Sequence, residues 1–128
     1  MKVNSLVNII IYIIIGLSPV LAATSSPKWV SIGIRDITSY NCTVIECDNE
    51  PDIGAFGRVA YKGNPTGFWF AGNRFNKGDK IRIPALTGEI IWICRDRTAK
   101  KVSHRIDLLF PLDITVGGVR KAEVFLLK

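Results

Sequence analysis

Between residues 80 and 110 the sequence reads KIRIPALTGEIIWICRDRTAKKVSHRIDLLF. Two short apolar runs, 90–93 and 106–110, flank a basic segment from Arg95 to Arg105. Apolar runs this short, bounded by Gly and Pro, favour buried strands over helices. The two runs are therefore expected to lie side by side in a sheet, with the basic segment as their exposed connection. What that connection does separates an enzyme from a nucleic-acid binder or a protein-binding module.

The first 22 residues stand apart from the fold. Lys2 gives a short positive start, 6–17 is apolar apart from Asn8, and Gly16, Ser18 and Pro19 break the run before Val20-Leu21-Ala22. That is the pattern of a secretory signal peptide cleaved after Ala22. A membrane anchor needs about 20 apolar residues, and the run before the breakers is shorter. The remainder, 23–128, is expected to be one secreted domain, monomeric and without stable membrane association after cleavage. The whole chain carries a net charge of +6. The charge is uneven: Glu46, Asp48, Glu50 and Asp52 form an acidic cluster, whereas 74–105 holds nine basic and three acidic residues. A basic face fits phosphate, anionic headgroups or an acidic protein.

Most of the domain alternates like strands. Val30, Ile32 and Ile34 interleave with Ser31, Gly33 and Arg35, and 40–46 is rich in β-formers. Together 29–37 and 40–46 are expected to form a hairpin turning at 36–39. At 48–52, Asp-Asn-Glu-Pro-Asp offers a cap, a first-turn proline and acids for the positive end of a helix dipole. Ile53, Phe56, Val59 and Ala60 follow at near-helical spacing, so one short helix is expected over 51–61 despite Gly54 and Gly57. Further strands are expected at 68–70, 80–83, 89–95, 102–110, 114–116 and 121–127. Pro84 should end the 80–83 strand or place it at a sheet edge, and Gly117-Gly118 should turn the last pair. The expected class is α+β, a small antiparallel sheet with one short N-terminal helix. The alternative is an all-β six-stranded sandwich.

Catalytic and metal chemistry find few residues. His104 is the single histidine, and no paired CxxC spacing marks a zinc site. The 48–52 acids lack the glycine and glutamate of a calcium loop. No GxSxG elbow is present, and His104 with Glu89 is the one acid–base pairing left to consider. No metal or cofactor is expected. Arg95, Arg97, Lys100, Lys101 and Arg105 could track phosphates, with Phe68, Trp69 and Phe70 stacking on bases. Cys42, Cys47 and Cys94 would give one disulfide and one leftover thiol in an oxidising compartment. All three pairings are possible. Cys42–Cys94 is expected, because a long closed loop restrains the unfolded chain by about 4 kcal/mol. Asn41-Cys42-Thr43 is also a glycosylation sequon.

Tyr40-Asn41-Cys42, then 67–70, 83–86 and 104–110, resemble the ribonuclease-like effectors secreted by powdery mildew fungi, which share the microbial guanine-specific ribonuclease fold. The Tyr-x-Cys motif falls on Tyr40 and Cys42. The resemblance implies a catalytic glutamate before Pro84, an arginine opening a later strand and a histidine acid beyond it. Arg82 stands near the glutamate position, Arg105 matches the arginine, and 114–120 has no histidine. By this resemblance the chain is a pseudo-ribonuclease rather than an enzyme. It would be a virulence or avirulence factor of a plant pathogen, secreted and translocated into a host cell. There it would bind RNA or a host protein, an immune receptor included, through Arg95, Arg97, Lys100, Lys101 and Arg105. Two other outcomes are the small β-sandwich of blast-fungus effectors and an active secreted ribonuclease.

Overall fold

A computed structural model describes residues 26–43, 50–114 and 117–128. The expected signal peptide, Cys47, residues 44–46 of the expected 40–46 strand and residues 115–116 of the expected 114–116 strand lie outside the described residues. The elements in chain order are β1 (Trp29–Tyr40), β2 (Ile53–Gly54), β3 (Gly57–Arg58), β4 (Ala60–Tyr61), β5 (Asn64–Pro65), β6 (Trp69–Ala71), β7 (Lys80–Arg82), α1 (Pro84–Thr87), β8 (Trp92–Asp96), a 3-10 turn (Lys100–Val102), β9 (Ile106–Leu109) and β10 (Arg120–Leu127).

Six strands close a barrel in the order β1-β10-β7-β8-β6-β9. The β1–β9 and β6–β8 pairs are parallel, and the other pairs are antiparallel. The expected α+β class is therefore corrected to all-β. The all-β alternative is the one that fits, with its six strands closed on themselves in place of two stacked sheets.

The helix expected over 51–61 is replaced by β2, β3 and β4. Gly54 pairs with Gly57 across a tight turn, and Gly57 has a φ of +113° that side-chain-bearing residues rarely adopt. A Cβ on Gly54 would sit 2.8 Å from the Arg95 carbonyl oxygen, so the turn lies directly on β8. The cap candidates Asp48 and Asn49 lie outside the described residues, and Asp52 ties the hairpins together. Its backbone carbonyl accepts from Val59 N at 2.9 Å, and its carboxylate accepts from Gly63 N at 2.8 Å. Two glycines cost a helix about 1 kcal/mol each, while β8 offers the segment a backbone partner through Phe56 N to Arg95 O at 3.3 Å.

The expected turn at 36–39 is also absent, because β1 runs straight through it. A bulge between Ser31 and Ile34, with Gly33 at a φ of +86°, bends the strand. The first part of β1 pairs with β10 from Trp29↔Leu127 to Ile37↔Arg120. The last part pairs with β9 from Ile37↔Ile106 to Tyr40↔Leu109. The two apolar runs of 80–110 are not neighbours either. β6 lies between β8 and β9, with Phe70 opposite both Cys94 and Leu108. Ile114 sits in a turn, its amide donating to Pro111 O at 3.0 Å. The strand facing 121–127 is thus β1 on one side and β7 on the other. Pro84 does end β7, at the start of α1.

Alternation puts Phe70, Ile81, Trp92, Cys94, Ile106, Leu108, Ala122 and Val124 inside the barrel. Trp92 fills the centre, with the rings of Phe68 and Phe110 edge-on at 5.6 and 5.7 Å. Its indole N–H donates to Thr87 Oγ1 at 3.0 Å, so α1 satisfies the one polar atom of the largest core side chain. A second cluster, Tyr40, Cys42, Val59, Ala60, Ala71 and Leu109, packs beneath the small hairpins.

These clusters correct the expected Cys42–Cys94 disulfide. Cys94 faces the barrel interior as a fully buried thiol, whereas Cys42 belongs to the second cluster. Burial pushes the Cys94 thiol up from its ordinary value. The native protein should therefore leave Cys94 unmodified by iodoacetamide, with labelling only after unfolding in urea, as read by peptide mass mapping. A raised folded pKa means stability is intact below the unfolded thiol value of about 8.5 and declines as pH rises past it. A Cys42–Cys94 peptide pair that disappears on reduction would contradict this arrangement.

Candidate functional site

The end of β8 and its crossover to β9 carry all five basic residues expected to bind a ligand, and the fold divides them. Arg95 stacks its guanidinium on the Trp69 ring at 5.0 Å and donates to the Arg58 carbonyl at 3.3 Å. Arg97 lies over the Phe56 ring at 4.7 Å. It also donates to the Gly72 carbonyl at 2.7 Å and to the Phe75 carbonyl. Both arginines therefore tie loops to the barrel by stacking and by satisfying turn carbonyls. Lys100 and Lys101 lie exposed on the 3-10 turn. Arg105 points to the other side of the crossover, into a small cleft with Arg35 and Arg74.

A wide cleft of about 610 Å³ opens on the Arg97 side, lined by Tyr40, Glu50, Ile53, Asp96, Thr98 and Asp107 among others. Its carboxylates already hold structure. Asp96 Oδ1 accepts from Ala55 N at 2.7 Å and from Arg97 N at 2.8 Å. Asp107 Oδ1 accepts from the Thr38 hydroxyl at 3.1 Å, linking β9 to β1. Across the crossover, Thr98 and Asn73 exchange two hydrogen bonds at 2.9 Å, which pins the 72–79 loop.

The histidine is placed away from the glutamate considered as its partner. His104 Nε2 lies 3.3 Å from Asp36 Oδ2, while Glu89 is at 3.4 Å from Arg82. Arg82, at the position where the resemblance implied a glutamate, stacks on Trp29 at 4.4 Å. Asp36 also accepts from Lys121 Nζ at 2.8 Å. That hydrogen bond, with the charges of Lys121, His104 and Arg105, holds the Asp36 carboxyl below its usual value against a smaller opposing effect of desolvation.

The aromatic residues proposed to stack on bases are also mostly committed. Phe70 is fully buried, and Trp69 is half-buried with its N–H on Thr66 Oγ1 at 3.0 Å. Phe68 is 55% exposed but lines a separate cleft with Pro65, Ile90 and Trp92. The Asn41 side-chain amide donates to the carbonyls of Phe110 and Pro111 at 3.0 and 2.8 Å, bonds that a glycan on that nitrogen would disturb. Tyr40 and Cys42 of the motif sit in the second core cluster. Among the described residues no group of three or more His, Cys, Asp or Glu converges as a metal set would, and no helix is long and apolar enough to cross a membrane.

Arg35 and Arg74 were not among the sequence-based candidates. They are far from Arg105 in the chain, and only the barrel brings them together. Comparison with family models, with curated proteins and with solved structures finds no match.

Two consequences can be measured. Asp96→Ala should release the β2–β3 hairpin, with faster hydrogen exchange at Ala55 and a loss of about 1 kcal/mol in urea unfolding. Asp36→Asn should change the acid side of the stability profile. With a lowered folded pKa, the contribution of Asp36 is present above its unfolded value of about 3.9 and lost as pH falls through the folded one. Wild type should therefore exceed the variant at neutral pH, and the two should converge in acid.

Proposed function

We propose that this chain is a secreted pathogen effector that acts in a host by binding RNA, without catalysis, through phosphate contacts. One observation carries the reading. The crossover leaves Lys100 and Lys101 exposed, and Arg105 at its end lines one cleft with Arg35 and Arg74. The net charge of +6 and the signal-like first 22 residues support it. A cluster of cations releases counterions from a nucleic acid and so binds with strong salt dependence. Phe75 is the aromatic side chain lining this surface, and its ring is packed edge-on against Phe70 at 5.0 Å. The lining therefore presents no free Phe, Tyr or Trp ring for base stacking, and binding should tolerate sequence.

The test is fluorescence anisotropy of labelled single-stranded RNA against salt concentration. Affinity should fall steeply with salt, with little difference between sequences, and the RNA should remain uncleaved. Lys100→Ala with Lys101→Ala should reduce the log–log slope by about 1.4, since each single-strand phosphate contact contributes about 0.7. Absence of binding at low salt would reject RNA. Capture of an acidic host protein by the same lysines would then move the partner to protein.

A further inference from the structure

Three arginines from distant parts of the chain line one small cleft of about 110 Å³. Arg35 comes from β1, Arg74 from the 72–79 loop and Arg105 from the crossover, one residue before β9. Ser103 and His104 complete the polar wall, and Ile32, Phe75 and Leu126 form the apolar remainder. No carboxylate lines the cleft. The closest acid on β1, Asp36, is held by Lys121 and His104, and Glu123 on β10 accepts from Ser31 at 2.7 Å.

The arginines are not internally satisfied. Arg105 Nε is buried and has no hydrogen-bond acceptor. Arg35 makes one bond, from Nε to the Ile32 carbonyl at 3.2 Å, and no ion pair among the described residues. Arg74 is exposed and makes neither. A buried donor without an acceptor is costly, and like charges gathered in one cleft repel, offset in part by Asp36, whose charge reaches Arg105 from outside the cleft lining. A single anion would relieve both. Guanidinium groups match the oxygens of a phosphate in planar, bidentate geometry, and the Ser103 hydroxyl adds a donor. A cleft of about 110 Å³ admits one tetrahedral oxyanion and leaves its substituent outside.

We propose that this cleft is a binding site for the terminal phosphate of a phosphomonoester, held by Arg35, Arg74 and Arg105 with Ser103. It deepens the RNA reading, on which it rests only for the source of the phosphate: an RNA 5′ end, or free phosphate and small phosphomonoesters.

The test combines two probes. Titration with inorganic phosphate, followed by the Nε–Hε resonances of arginine in ¹⁵N NMR, should shift the Arg105 signal in a saturable way. Paired oligoribonucleotides of one sequence, with a 5′-phosphate or a 5′-hydroxyl, should differ in affinity by about tenfold, the contribution of a charge-assisted hydrogen-bond pair. Arg74→Ala, at an exposed position, should remove both effects, and Arg105→Lys checks the buried position with its charge retained. Lys100→Ala with Lys101→Ala should weaken RNA binding yet leave the phosphate titration unchanged, which separates this site from the general RNA reading. Saturable phosphate binding without a 5′-end preference supports the site and assigns it to free phosphate or small phosphomonoesters. No saturable shift, or a shift that Arg74→Ala leaves intact, overturns the proposal.

Discussion

The barrel depends on a single strand having two partners. Ile37 of β1 pairs with Arg120 on β10 and with Ile106 on β9, so the seam closes at one residue. β1 can serve both because Gly33 and its bulge bend the strand before the switch. Closure leaves this sheet without free edges, which matters because β6 and β7 are three residues each. Strands that short hold their place only with a neighbour on both sides. The core follows from the same closure, since alternate residues of six strands meet around Trp92.

Closure also decides what the basic crossover can do. The chain must pass from β8 to β9 over β6, so 97–105 crosses the end of the barrel. Turn carbonyls at Gly72 and Phe75 need donors there, and Arg97 supplies them. Arg95 reaches the hairpin side and stacks on Trp69. Beyond these residues the crossover turns outward, presenting Lys100 and Lys101, and then returns with Arg105 against β1. A stretch that reads as one continuous basic loop thus becomes two structural arginines, two exposed lysines and one cleft arginine.

The strand cores at β6 to β10 were legible because alternation and β-branched content are local properties. Ile81, Trp92, Cys94, Ile106 and Leu108 all fall in segments expected as strands, but the continuous apolar run at 90–94 gives no alternation to choose a face, and Leu109 is buried in the second cluster. The segment 51–61 was misread for an equally local reason. Acids, a proline and near-helical spacing all favour a helix start, but the deciding partners, Arg95 O and the Asp96 carboxylate, come from some forty residues downstream. The turn expected at 36–39 failed similarly. Asp36 and Ser39 favour turns, yet β9 and β10 offer that stretch backbone partners on both sides.

By itself the sequence determined the charge surplus and the β character of most of the domain. Each depends on residue type and short-range periodicity. Tertiary structure alone decided that the sheet closes, that Cys94 is a buried thiol apart from Cys42, and that Arg35, Arg74 and Arg105 meet. Those outcomes depend on which distant backbone groups become hydrogen-bond partners, and no local propensity encodes that choice.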